Sequence, residues 1–188
     1  MQSKLPKNLI LNYSDNVIDM VQFGSSVQAK KEPSDIDIAV IYKKIPVKHQ
    51  LEESQKIKRQ LENYFSIPIH IKSYDLYSLF EEGNFAKSSI LFYGISLIFK
   101  RQFSNLFGIV PKLQISYILK NLKKKDKVRF NYLLNGRNKA YGLLREYKGK
   151  LLNPGLIEIN PENEELFEKE MKKITNNIKI NKIYHQLD

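Results

Sequence analysis

At 188 residues, 42% of them hydrophobic and 27% charged, the chain can bury a core without covalent staples and suits one domain or a compact domain with an appended module. It has no cysteine, which excludes a disulfide scaffold, a thiolate zinc site and a cysteine nucleophile. The formal charge of +11 is concentrated: residues 111–150 hold twelve Lys or Arg against Asp126 and Glu146 alone, which favours a polyanionic partner because each neutralised phosphate releases counterions.

The N-terminal stretch has no apolar run followed by a small-residue cleavage site, and the most apolar segment, residues 90–99, is about half as long as a bilayer-spanning helix. The expectation is a cytoplasmic protein without a membrane partner. Residues 16–23 predict a buried strand ended by Gly24-Ser25-Ser26. Residues 34–42, SDIDIAVIY, predict a second strand whose alternation sets Asp35, Asp37 and Ala39 on one face and Ile36, Ile38 and Val40 on the other. A helix follows over 49–64. A third strand is predicted over 67–73, with Ile67, Ile69 and Ile71 inward and Pro68, His70 and Lys72 outward. Pro68 lacks a backbone donor, so this strand starts there or lies at a sheet edge. Helices over 76–82 and 86–100 come next, separated by Gly83. The second is apolar nearly all round and predicts a central core helix.

After Phe107, Gly108 and Pro111 the character changes, and the boundary is set between residues 1–108 and 109–188. Helices over 113–125, 128–134 and 137–147, a short strand over 156–159 and a last helix from Pro161 to about residue 174 predict a basic, mainly helical C-terminal module. Its candidates for phosphate contact are Lys123, Lys124, Lys125, Arg137 and Lys139, although the lysine run also suits a solvated helix end. Phe130, Tyr132, Tyr141 and Tyr147 interleave with these cations. Such rings can stack on unpaired bases, but their helical spacing fits core packing better. His49 and His185 have no partner pattern and read as solvent-facing.

The chemistry gathers in residues 23–42. Gly24 lets the backbone approach a ligand closely, and Ser25 and Ser26 add hydroxyls and N–H groups that can cradle an anion. Farther along, Asp35 and Asp37 stand at i and i+2, about 6–7 Å apart along a strand, where they can share hard cations. A phosphate cradle beside paired carboxylates is what Mg2+-dependent transfer from a nucleoside triphosphate requires.

On Phe23-Gly24-Ser25 and Ser34-Asp35-Ile36-Asp37-Ile38 the sequence resembles the DNA polymerase beta-like nucleotidyltransferase superfamily, in its small single-core members, over about residues 16–100. The resemblance implies an α/β (α+β) fold whose core is a mixed β-sheet flanked by helices. It implies that Gly24 and Ser25, with Ser26 in the same turn, hold the triphosphate of an NTP, and that Asp35 and Asp37 hold Mg2+ or Mn2+. Two positions depart from the family pattern. The glycine often found between the two motifs is Ala29, and the third carboxylate of the next strand is His70. Imidazole is a poorer Mg2+ ligand than a carboxylate, yet it can serve as a general base. The implied activity is transfer of a nucleoside monophosphate to an acceptor hydroxyl on RNA, expected ahead of DNA, or on a protein. The alternatives that His70 keeps open are a catalytically degenerate core acting as a nucleic-acid-binding or regulatory protein, and an interaction module without nucleotide.

Overall fold

A computed structural model describes residues 9–27, 33–137 and 141–187. The chain divides into two units, Met1–Gly108 and Ile109–Asp188. In the first, strands β1 (Val17–Phe23), β2 (Ile36–Tyr42), β3 (Ile69–Asp75) and β4 (Ile95–Ser96) form a mixed sheet in the order β3-β2-β1-β4. β1 runs antiparallel to β2 and β4, while β2 and β3 are parallel. Helix α1 (Val47–Glu62) makes the crossover between the parallel strands, and α2 (Leu76–Phe80) and α3 (Ala86–Tyr93) follow β3.

From Ile38 to Tyr42, β2 is a continuous apolar run because both of its faces are covered. Ile36, Ile38, Val40 and Tyr42 pack with Ile57 and Leu61 of α1, whereas Ala39 and Ile41 pack with Leu79, Ile90 and Phe103. A buried polar relay ties β2, α1 and β3 together: the Tyr42 hydroxyl lies 2.8 Å from Ser54 Oγ, which lies 2.8 Å from Ser73 Oγ. Burial pushes the Tyr42 phenol up to about 12. Because each hydroxyl finds a partner, the relay adds directional contacts that hold β3 in one register. β3 is an edge strand, and Pro68 just before it contributes its carbonyl to the Ile36 N–H at 2.9 Å.

The core helix expected over 86–100 stops at Tyr93. A side chain at Gly94 would overlap the Ile90 carbonyl and the Val21 side chain, so the backbone sits directly against β1 and leaves the helix to pair as β4. Buried Asp19 fastens that pairing: its Oδ1 accepts the Ser96 hydroxyl at 2.7 Å and the Met20 N–H at 2.8 Å. Burial pushes the Asp19 carboxyl up to about 6, against the opposing pull of these bonds and of Arg101.

The second unit holds a four-stranded sheet as well as helices, which corrects the mainly helical expectation. β5 (Ile109–Tyr117), β6 (Lys150–Asn153), β7 (Leu156–Ile159) and β8 (Ile178–Gln186) form an antiparallel sheet in the order β6-β7-β5-β8, accompanied by α4 (Lys124–Asn135), α5 (Leu143–Glu146) and α6 (Glu164–Lys172). Of the helix expected over 113–125, residues 113–117 belong to the central strand β5, 118–123 form a loop, and only Lys124 and Lys125 are helical, at the start of α4. In β5, Pro111, Leu113 and Ile115 are buried, alternating with Lys112, Gln114 and Ser116 on the other face. Of the helix expected over 137–147, residues 138–140 lie outside the described residues, and among the rest only the four of α5 are helical. α4 begins within the lysine run and buries Phe130 and Leu134, and the Tyr117 ring lies 4.8 Å from that of Phe130. No helix among the described residues is long and apolar enough to cross a membrane.

Candidate functional site

In the first unit the glycine-serine turn and the paired aspartates come together through strand pairing. Phe23, the last residue of β1, is the register partner of Asp37, so the chain turns at Gly24 directly beside the Asp37 side chain. Gly24 adopts φ +75°, and a Cβ at this position would lie 2.5 Å from Asp37 Oδ2. Only glycine supplies both the positive φ and the open space. The carboxylate therefore rests against bare backbone.

His70 arrives from the parallel neighbour, where its register partner is also Asp37. Its Nδ1 lies 3.5 Å from Asp35 Oδ2 and 3.8 Å from Asp37 Oδ1, so one imidazole faces both acids. The side chains are 31% exposed at Asp35, 27% at Asp37 and 59% at His70, which leaves the cluster open to a ligand. Burial and then the neighbouring Asp35 charge raise the Asp37 carboxyl above its usual range, while Lys72 and His70 pull it down. Lys72, two residues after His70 on β3, also sets its ammonium 5.8 Å from the centre of the Phe23 ring. The alternation along β3 already placed Lys72 on the face of His70, although no role follows from the sequence without the pairing.

The serines separate. Ser25 is half-buried within the 3-10 turn Gly24–Ser26. Ser26 is buried, donates its hydroxyl to the Phe23 carbonyl at 3.2 Å and accepts from Gln22 Nε2 at 3.0 Å. Its oxygen is thus engaged in holding the turn. Ala29 lies outside the described residues.

Asp35 and Asp37 are hard oxygen donors facing one side, which suits a divalent cation that prefers oxygen. Among the described residues no group of three or more His, Asp or Glu side chains is arranged to hold a metal ion. A cation here would complete its shell from a ligand and water, which is how Mg2+ is commonly held. A cleft of about 500 Å3, lined by residues that include Ser14, His49 and Glu53, shares none of these side chains. Ser14 there donates to Glu53 Oε2 at 2.7 Å, a contact that staples the N-terminal segment to α1.

In the second unit Lys123, Lys124, Lys125 and Arg137 are all exposed, while Lys139 lies outside the described residues. The aromatic rings divide. Phe130 is buried and Tyr147 packs edge-on against Phe167, but Tyr132 and Tyr141 are exposed, which corrects the core assignment of these two. His185 is not simply solvent-facing: its Nε2 lies 2.8 Å from Oε2 of the buried Glu158.

No family model matches this chain, and no curated protein or solved structure matches it significantly.

Proposed function

We propose that the first unit is a nucleotidyltransferase core that binds an NTP with Mg2+ or Mn2+ and moves its nucleoside monophosphate to an acceptor hydroxyl on RNA or protein. The observation that carries this reading is the contact between the Gly24 bend and Asp37, with Asp35 and His70 on the same side. Asp35 and Asp37 would hold the cation, and the Gly24 and Ser25 backbone would face the phosphates. The divalent ion would supply charge neutralisation on the triphosphate oxygens. His70 would accept the proton of the acceptor hydroxyl as its oxygen bonds to the α-phosphorus and pyrophosphate departs. Lys72 adds positive charge beside the carboxylates, and an NTP substrate fits a cytoplasmic location.

A second reading has its own support. With His70 where the family resemblance calls for a third carboxylate, the core could bind nucleotide and metal without fast transfer and act as a regulatory module. Incubating the chain with α-labelled NTPs, Mg2+ or Mn2+, and RNA, DNA or protein acceptors tests the first reading. Label transfer that Asp35→Asn abolishes supports it. Mg·ATP binding that Asp37→Asn weakens, without transfer to any acceptor, supports the regulatory reading, and no nucleotide binding at all refutes both.

A further inference from the structure

Helix α4 carries a single acid, Asp126, against Lys124, Lys125, Lys127 and Arg129. Among the described residues no carboxylate forms an ion pair with Lys124, Lys125, Lys127 or Arg129, and all four are exposed. The helix turns Phe130 and Leu134 inward, so its outer surface is set by the remaining positions. Residues 125, 129 and 132 stand at i, i+4 and i+7 and share one stripe. With a rise of about 1.5 Å per residue, the stripe runs roughly 10 Å from Lys125 through Arg129 to Tyr132.

Tyr132 distinguishes this stripe from an ordinary solvated lysine face. The residue is 43% exposed, and the Arg137 guanidinium carbon lies 5.9 Å from the ring centre. A ring kept in water and backed by a guanidinium plane is a surface on which a nucleobase can stack, while cations one or two turns away can meet the phosphates on either side. A protein acceptor offers neither the repeated anions nor the flat base.

We propose that the Lys125–Arg129–Tyr132 stripe, with Arg137, docks single-stranded polynucleotide. Phosphates lie on Lys125 and Arg129, and an unstacked base lies on the Tyr132–Arg137 pair. This deepens the transferase reading by naming its acceptor, and it rests on that reading only for the acceptor role; the docking itself needs no nucleotide.

Fluorescence anisotropy of the full chain with labelled oligonucleotides of about 12 nucleotides, without NTP or divalent ion, tests it. RNA and DNA single strands form separate arms that identify the source, with a duplex for comparison. With two phosphates neutralised, on Lys125 and Arg129, the log–log salt slope is about −1.4, and affinity falls roughly 7-fold between 50 and 200 mM salt. Lys125→Glu with Arg129→Glu weakens binding at least tenfold and flattens the slope by about 1. Tyr132→Ala weakens single-strand binding roughly 5- to 100-fold without changing the slope, and Tyr132→Phe restores it. All three side chains are exposed, so circular dichroism should match that of the parent chain. Salt-independent binding, indifference to the charge reversal, indifference to Tyr132→Ala, or preference for phosphatidylserine vesicles over the strand each overturns the proposal. Asp37→Asn separates the two claims. It should remove Mg·ATP binding and leave strand affinity intact, whereas the α4 reversal should do the opposite.

Discussion

Replacing Gly24 by alanine tests whether the bend and the carboxylates work as one site. Alanine at φ +75° costs about 1–2 kcal/mol of backbone strain. Gly108→Ala is the control, because Gly108 has φ +68° and nothing within 4 Å of a new Cβ. At Gly24 the same methyl would lie 2.5 Å from Asp37 Oδ2. An oxygen needs about 3.5 Å from a carbon, so the carboxylate must swing away by roughly 1 Å. It is the free end of a half-buried side chain, so the swing adds little to the cost of folding. Both variants should therefore lose about the same stability in urea unfolding, with unchanged m-values. Their binding should diverge. Mg2+ holds its oxygen ligands at about 2.0–2.1 Å, so a carboxylate displaced by roughly 1 Å is lost to it. Gly24→Ala should thus lose most of its Mn2+ and Mg·ATP affinity in calorimetric titration, and Gly108→Ala should lose none. Parental affinity in Gly24→Ala would refute the claim that the bend and Asp37 form a common site. A loss shared equally by both variants would trace the defect to general strain.

Two further outcomes follow from the buried and paired acids. The Asp19 carboxyl is pushed up to about 6 by burial, so the folded state holds its proton more tightly than the unfolded chain, and stability should fall as pH rises from about 4 to 6 and then level off. A shift of this size corresponds to roughly 3 kcal/mol, and Asp19→Asn, whose Oδ1 can still accept from Ser96 and Met20, should erase that slope in urea melts taken across the range. His70→Asp adds a third carboxylate where the imidazole now lies 3.5 Å from Asp35 and 3.8 Å from Asp37. The variant should melt lower than the parent in chelator yet gain more from added Mg2+, and its label transfer should rise. An unchanged response to Mg2+ would show that the three positions do not converge on a cation.

How much of this was legible in the residues depends on the range of the forces involved. The β2 alternation, the turn at Gly24 and the strand over 156–159 arise from neighbours a few positions apart, so periodicity and glycine reveal them. The face shared by Asp35 and Asp37 belongs to the same class. Residues 109–125 do not. Leu113 and Ile115 alternate as in a strand, while Ile115, Ile118, Leu119 and Leu122 also recur at helical spacing, so both structures bury apolar side chains locally. Pairing with β7 on one side and β8 on the other decides for the strand by satisfying its backbone groups, and those partners come from far along the chain.

The approach of His70 to the two aspartates is of the same non-local kind. Composition and spacing by themselves determined which residues could carry charge or bind phosphate, and that Lys and Arg crowd into residues 111–150. Only the tertiary structure decided that the parallel register of β2 and β3 brings His70 to Asp37, that Gly94 ends a helix against Val21, and that Tyr132 lies exposed beside Arg137. The reason is that a side chain's chemical type is written at its own position, whereas its partners depend on which distant segments exclude water together.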